Sequence, residues 1–170
     1  SDRKILRDLG VKFGRYHVFL YKLIKPEPVS LRTLLWKNHH QKFLNLKPPT
    51  FGLNFLNDDK IKNKDFMLLC GFEKFNNFYV RIDILERLFV QIISSSTGSL
   101  KQIKMMPEML NLLGCNKENF KQLLKIMNYK IVERNNEVFF KYAPKKKIKN
   151  ENKKDIKENP FRVLKNLNFN

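Results

Sequence analysis

The chain has 170 residues, of which 42% are hydrophobic and 15 are Phe. This apolar content suffices for one ordinary domain or two small ones and excludes wholesale disorder. The formal net charge of +18 and the pI near 10 favour a polyanionic partner such as RNA, DNA, a ribosome or an anionic membrane surface.

The high charge has two explanations that the composition leaves open. Lys and Asn are abundant and Ala143 is the only alanine, as expected of a protein encoded by AT-rich DNA. Residues 1–50 contain eleven Lys or Arg against three Asp or Glu, and residues 143–170 contain nine against three, whereas residues 106–142 contain six against four. The surplus therefore lies in the two flanks, whether genomic bias or binding is its cause.

Residues 1–50 predict an N-terminal helical unit. A helical start around Ile5 precedes Val11–Leu20, which fits either a strand broken at Gly14 or a turn that enters a helix. Lys25–Pro28 is predicted to end the preceding element. Ser30 is the predicted N-cap of the next helix, whose apolar face follows the spacing i, i+3, i+4. This face consists of Leu31, Leu34 and Leu35.

Residues 66–142 predict a hairpin followed by a winged-helix-like domain. The polar stretch Leu56–Asp65 is a predicted linker, and Cys70–Ile82 is a predicted hairpin that turns at Asn76-Asn77. A helix is expected to start at Asp83, because Asp83 and Glu86 have the spacing of a capping box.

Met106–Tyr142 has the element order of a winged helix, a frequent nucleic-acid-binding unit. Pro107 predicts a helix start and Gly114 its C-cap, and Asn116 predicts the N-cap of a second helix. The strands Tyr129–Arg134 and Val138–Tyr142, joined at Asn135-Asn136, are the predicted wing.

Residues 143–159 are rich in lysine, asparagine and glutamate and predict a disordered linker. Residues 160–170 predict a short amphipathic segment. The expected fold class is therefore α+β and mostly helical, with the winged-helix-like unit packed against the N-terminal helical and hairpin unit and followed by a disordered basic tail.

Polar and basic side chains on the second helix of this unit, on the wing and in both flanks are the candidate nucleic-acid-binding residues. Cations that recur at i, i+4, i+8 on one helix would contact successive phosphates, although they also fit the solvated side of any amphipathic helix. The candidates are Arg15, Lys117, Asn119, Lys121, Gln122, Lys125, Lys130, Arg134, Lys141, Lys145, Lys146 and Lys147.

Catalytic and metal-binding patterns are absent from the sequence. There is no phosphate-binding loop, nucleophile elbow or H-E-x-x-H motif, and helix capping explains Asp83 and Glu86. His39 and His40 are adjacent and therefore diverge on a helix, so no metal site is predicted. Cys70 and Cys115 form no C-x-x-C pair, which fits a reducing cytoplasm. No apolar run has the length of a membrane span and no signal-peptide pattern opens the chain.

Four segments together resemble the C-terminal region of alphaproteobacterial Suv3-like, superfamily 2 ATP-dependent helicases. The likeness covers roughly residues 3–134, with a weaker extension over residues 160–167. The segments are Leu9–Leu20 with Leu23–Pro26, Gly71-Phe72 with Val80–Leu88, Met109–Tyr129, and Asn159–Phe161. The Lys/Asn-rich tail departs from the family, whose members often have a Pro/Ala/Glu-rich or Arg-rich extension.

This resemblance implies that two motor lobes with the ATP and Mg²⁺ site precede Ser1, and that this chain itself has no catalytic residue or cofactor. The expected function is that of a non-catalytic accessory region that binds RNA or DNA near the motor lobes of the same polypeptide. An alternative is a protein-docking module that braces those lobes or recruits another protein. A cytoplasmic location and no membrane partner are expected.

Overall fold

The computed structural model describes residues 2–57, 63–95, 102–135 and 137–144. The predicted linker 143–159, beyond its first two residues, and the segment 160–170 lie outside these residues. The described part has the predicted α+β fold, with six α-helices and eight strands in three small sheets.

The N-terminal elements are α1 (Asp2–Asp8), β1 (Val11–Phe13), β2 (Val18–Leu20) and a 3-10 turn over Tyr21–Ile24. The first of the two alternatives for residues 11–20 is met in part, because the strand is interrupted at Gly14, but its two halves, β1 and β2, fold back and pair antiparallel as a hairpin. Its turn comprises residues 14–17 and is closed by a hydrogen bond of 2.8 Å from the Gly14 N–H to the His17 carbonyl.

Helix α2 (Pro26–His39) overturns two of the predictions for this unit. The predicted stop at Lys25–Pro28 is wrong, because both prolines lie in the first turn of α2, where a backbone N–H has no intrahelical partner to lose. Ser30 is not an N-cap either. It lies within α2, and its hydroxyl donates to the Pro26 carbonyl at 2.9 Å.

The apolar face predicted for this helix is also wrong. Val29 and Thr33 are the buried residues of α2, and Trp36 packs against Phe66 with ring centroids 5.3 Å apart. The buried Thr33 hydroxyl donates to the Val29 carbonyl at 2.9 Å. Leu31, Leu34 and Leu35 face outward instead, and are 58%, 65% and 60% exposed.

A three-stranded sheet follows, after a 3-10 turn at Gln41–Phe43. It contains β3 (Phe55–Asn57), β4 (Phe72–Phe75) and β5 (Phe78–Arg81) in the order β3-β5-β4, with α3 (Lys64–Leu69) before β4. The β4–β5 hairpin confirms the turn predicted at Asn76-Asn77. The last two residues of β3 and the first two of α3 fall within the predicted linker Leu56–Asp65, so that prediction is partly wrong.

The remaining described residues build the winged helix. They form α4 (Ile82–Ser95), β6 (Ile103–Lys104), α5 (Pro107–Leu113), α6 (Lys117–Ile126), β7 (Tyr129–Arg134) and β8 (Glu137–Tyr142). The sheet order is β6-β8-β7. The predicted Gly114 cap is confirmed, since Gly114 has a left-handed φ of 70° and donates to the Leu110 carbonyl at 2.8 Å. The unit is larger than predicted, because α4 and β6 belong to it.

Strand β5 lies between two hydrophobic cores because its side chains alternate between its two faces. Phe78 and Val80 pack in the larger core, with α4, α5, α6 and the wing. Tyr79 packs in the smaller core with Val29 of α2 and Phe66 of α3. Helices α2 and α3 are therefore joined to the winged helix through the central strand.

Candidate nucleic-acid interface

Helix α6 presents the predicted cationic stripe because its two sides differ in character. Its N-terminus is capped as predicted, with the Asn116 side-chain oxygen accepting a hydrogen bond of 2.8 Å from the Asn119 backbone N–H. Phe120, Leu123 and Leu124 are buried in the larger core. The opposite side faces solvent.

The three lysines of the stripe are not equivalent. Lys117 and Lys125 are exposed, and no described residue forms an ion pair with either. Lys121 donates to the Glu133 carboxylate of β7 at 2.6 Å. This hydrogen bond and the charge of Lys121 hold the pKa of Glu133 below its ordinary value. Lys121 therefore joins the helix to the wing, and Lys117 and Lys125 are the cations of α6 that remain for a ligand.

The two amide candidates on α6 also differ. Gln122 is exposed beside the lysine stripe, whereas Asn119 is half-buried near the helix N-terminus. Asn119 takes part in the cap through its backbone N–H. Gln122 is thus the amide that lies on the accessible surface of α6.

The outer face of the wing sheet forms a second cationic surface. Side chains opposite each other in an antiparallel pair share a face, and three such pairs lie on the side of the sheet away from α6. These are Lys130 with Lys141, Val132 with Phe139, and Arg134 with Glu137. Lys104 of β6 lies opposite Phe139 and binds Glu137. A half-buried aromatic ring is therefore surrounded by four cations and one carboxylate.

Lys130 and Lys141 are directly opposed and both exposed. Like charges at opposed positions destabilise a strand pair by about 0.2–1 kcal/mol. Opposite charges would stabilise these positions, so the Lys130–Lys141 pair lowers the stability of the wing.

Arg15 reaches the wing because a buried carboxylate holds its turn in place. The Glu86 carboxylate of α4 accepts the backbone N–H groups of Arg15, Tyr16 and His17 at 2.5, 2.9 and 2.8 Å. The Arg15 guanidinium then lies 6.0 Å from the centre of the Tyr142 ring at the end of β8, within the range of a cation–π contact. A hydrogen bond with the Tyr16 side chain raises the pKa of Arg15 above its ordinary value.

The capping box predicted for α4 is wrong. The helix begins at Ile82, so Asp83 lies inside its first turn. The Asp83 carboxylate binds the Arg81 guanidinium in two hydrogen bonds of 2.6 and 3.1 Å. Glu86 serves the 14–17 turn instead, and the His17 ring contacts both Glu86 and Glu73 of β4, at 3.2 and 3.3 Å. A local ion pair with Arg81 explains Asp83, and a tertiary contact with the 14–17 turn explains Glu86.

The candidate residues that the structure describes lie in three places. Lys117, Gln122 and Lys125 lie on α6. Lys130, Arg134 and Lys141 lie on the outer face of the wing sheet, and Arg15 lies beside Tyr142. Lys145, Lys146 and Lys147 fall outside the described residues. Tyr142 was not predicted from the sequence. Tyr142 lies far from Arg15 along the chain, so no local sequence pattern indicates that the two side chains are close.

Neither metal nor thiol chemistry is evident in the described ranges. No group of three or more His, Cys, Asp and Glu side chains is clustered there as a metal site would require. Burial raises the pKa of both Cys70 and Cys115 to about 11, so neither thiol resembles an activated nucleophile. Within the same residues no helix is long and apolar enough to cross a membrane.

Comparison with protein-family models, with curated proteins and with solved structures finds no match to this chain.

Proposed function

We propose that this chain is a non-catalytic accessory region of an ATP-dependent RNA or DNA helicase and that it binds nucleic acid near the motor lobes. The observation that supports binding most directly is the opposed pair of Lys130 and Lys141. A phosphate placed between two exposed ammonium groups would relieve their repulsion and release counterions from the nucleic acid. The winged-helix order of α4 to β8 is the frame on which such surfaces commonly occur.

Binding of the chain to labelled RNA and DNA oligonucleotides, measured by fluorescence anisotropy between about 25 and 200 mM salt, tests the proposal. The logarithm of the association constant should fall linearly with the logarithm of the salt concentration, by about 0.7 to 0.9 for each phosphate contacted. No detectable binding of any oligonucleotide at the lowest salt would refute the proposal.

Lys130→Glu should change stability and affinity in opposite directions. Glu at position 130 would form a cross-strand ion pair with Lys141, so the free energy of unfolding should rise by about 0.5 kcal/mol. Loss of one phosphate contact and the added repulsion should weaken oligonucleotide binding by roughly tenfold at 0.1 M salt. Urea unfolding and anisotropy measure the two effects on the same preparation.

Arg134→Glu is the matched control on the same strand. It makes the same charge change but places the new carboxylate directly opposite that of Glu137. Stability should therefore fall rather than rise, while binding weakens in both variants. Equal binding by Lys130→Glu and the unchanged chain would show that the outer face of the wing sheet does not contact nucleic acid.

A second candidate function is docking against the motor lobes, and the exposed face of α2 favours it. Leu31, Leu34 and Leu35 form an apolar stripe that is exposed among the described residues, on a helix whose other side is already packed. Exposed apolar patches commonly mark protein interfaces. A photo-crosslinking residue at position 34 of the intact protein should then couple to a motor lobe of the same polypeptide. The exposed position 42 is the control, and equal labelling from both positions would contradict docking by α2.

A cytoplasmic location belongs to the same proposal. Its support is that Cys70 and Cys115 are both free thiols, as expected in a reducing compartment.

A further inference from the structure

Two open cavities meet at Arg15 and Ile93. The first, of about 610 Å³, lies between the β1–β2 hairpin and α4. The second, of about 340 Å³, lies between α4 and the wing sheet. Both are lined by Arg15 and Ile93, so they lie side by side, and together they are called here the Arg15 groove.

The floor of the Arg15 groove is apolar and aromatic. Tyr21 and Val90 line the first cavity and Tyr142 lines the second, and all three are exposed, whereas Phe89 and Tyr129 are buried beneath them. Val90 is 69% exposed and Tyr142 is 44% exposed, which is a high exposure for side chains of this kind in a depression. Flat nucleobases stack on such surfaces, and each stacked base commonly contributes about 1–3 kcal/mol.

The rim of the Arg15 groove is cationic. Lys12 and Arg87 line the first cavity, Lys141 lines the second, and Arg15 lies where the two meet. All four side chains belong to exposed residues. Cations around an apolar floor are complementary to a ligand whose flat apolar groups are joined by anions.

Two carboxylates also line the first cavity, but both are already engaged. Asp83 binds the Arg81 guanidinium, and Glu86 accepts the three backbone N–H groups of the 14–17 turn. Their charges are therefore directed into the protein. Four cations and two carboxylates line the Arg15 groove, so the formal charge of its lining is positive, which is complementary to phosphate.

We infer that the Arg15 groove binds single-stranded nucleic acid, with unpaired bases on its floor and phosphates on Lys12, Arg15, Arg87 and Lys141. Each cavity has a volume typical of a small-ligand site, which suits individual bases. A duplex keeps its base faces stacked inside the helix and could not present them to this floor. The inference rests on the proposed function and adds a preference for unpaired strands.

A double variant, Arg15→Gln with Arg87→Gln, tests the inference against a matched double variant, Lys42→Gln with Lys47→Gln. Lys42 and Lys47 are exposed and line neither cavity. Each double variant replaces two cations by two neutral side chains, so the change in net charge is the same. Two phosphate contacts of a single strand contribute roughly 25-fold in affinity at 0.1 M salt. The first pair should lose about that factor for a 12-nucleotide single strand and less than twofold for a blunt duplex. The control pair should change both affinities equally and slightly.

Val90→Glu gives an independent test that spares the packing of α4, because Val90 is exposed and lies outside the hydrophobic core. A carboxylate on the floor should weaken single-strand binding at least tenfold and leave the melting temperature unchanged. Equal losses for single strand and duplex, or no loss for either, would overturn the inference. Equally strong competition by poly-glutamate would show that the groove takes acidic chains instead. Failure of the unchanged chain to bind any oligonucleotide would refute the proposed function itself.

Discussion

Gly14→Ala should destabilise the fold by about 3 kcal/mol, the sum of overpacking and of weakened hydrogen bonds to a carboxylate. A Cβ at Gly14 would lie 2.7 Å from Cγ of Glu86 and closer still to its carboxylate. The end of a glutamate side chain ordinarily moves aside at little cost. Here it is held by three backbone N–H groups and the His17 ring, so moving it breaks the contacts that fix the 14–17 turn.

Thermal unfolding followed by circular dichroism measures this effect. For a chain of this size a loss of about 3 kcal/mol lowers the melting temperature by roughly 6–12 °C. Gly52→Ala is the control, because Gly52 has a left-handed φ of 93° and open space around its Cβ position. That variant should lose only about 1 kcal/mol, from backbone strain alone.

A double-mutant cycle separates steric conflict from any other property of Gly14. In a Glu86→Ala background the carboxylate is gone, so the additional cost of Gly14→Ala should fall below about 1 kcal/mol. An undiminished cost in that background would show that Glu86 is not what excludes a side chain at position 14. The 14–17 turn would then owe its position to other contacts.

The sequence predicted α5, α6 and the wing well because their signals are local. Pro107 and Asn116 mark helix starts and Gly114 marks a helix end, each through a backbone requirement of that position. The wing strands also alternate as a half-buried hairpin should. These features need no knowledge of the rest of the chain.

Features that depend on distant partners were missed or misassigned. Strands β3 and β6 have only three and two residues, and they exist because Phe55 pairs with Val80 and Ile103 with Phe140. Too few residues are involved for a periodic pattern. The β6 pairing is also what extends the winged helix back to α4.

Helix α2 shows the same limit in another form. It has two apolar stripes, one through Val29, Thr33 and Trp36 and one through the leucines 31, 34 and 35. Periodicity alone ranks the leucine stripe higher, but the side that is buried is set by the fit of Trp36 against Phe66. The cation stripe on α6 was likewise visible in the sequence, whereas the pairing of Lys121 with Glu133 was not.

Lys117→Glu combined with Lys125→Glu should weaken duplex binding by roughly 60-fold at 0.1 M salt, which is the contribution of two phosphate contacts. These two lysines are the cations of α6 that have no ion-pair partner among the described residues, and a helix of this position in a winged helix commonly faces a duplex. Loss of about two phosphate contacts should reduce the slope of the logarithm of the association constant against the logarithm of the salt concentration by roughly 1.8. Lys121 is left unchanged because its substitution would also remove the contact between α6 and β7.

Lys42→Glu combined with Lys47→Glu makes the same charge change away from α6 and should reduce duplex affinity much less. Single-strand binding is the informative comparison, since no residue of α6 lines the Arg15 groove. Loss of duplex binding with single-strand binding retained would indicate a chain that contacts both sides of a junction between paired and unpaired nucleic acid, where a helicase acts. Equal losses of duplex affinity in the two double variants would mean that α6 contributes to binding only through the net charge of the chain and makes no direct contact with the duplex.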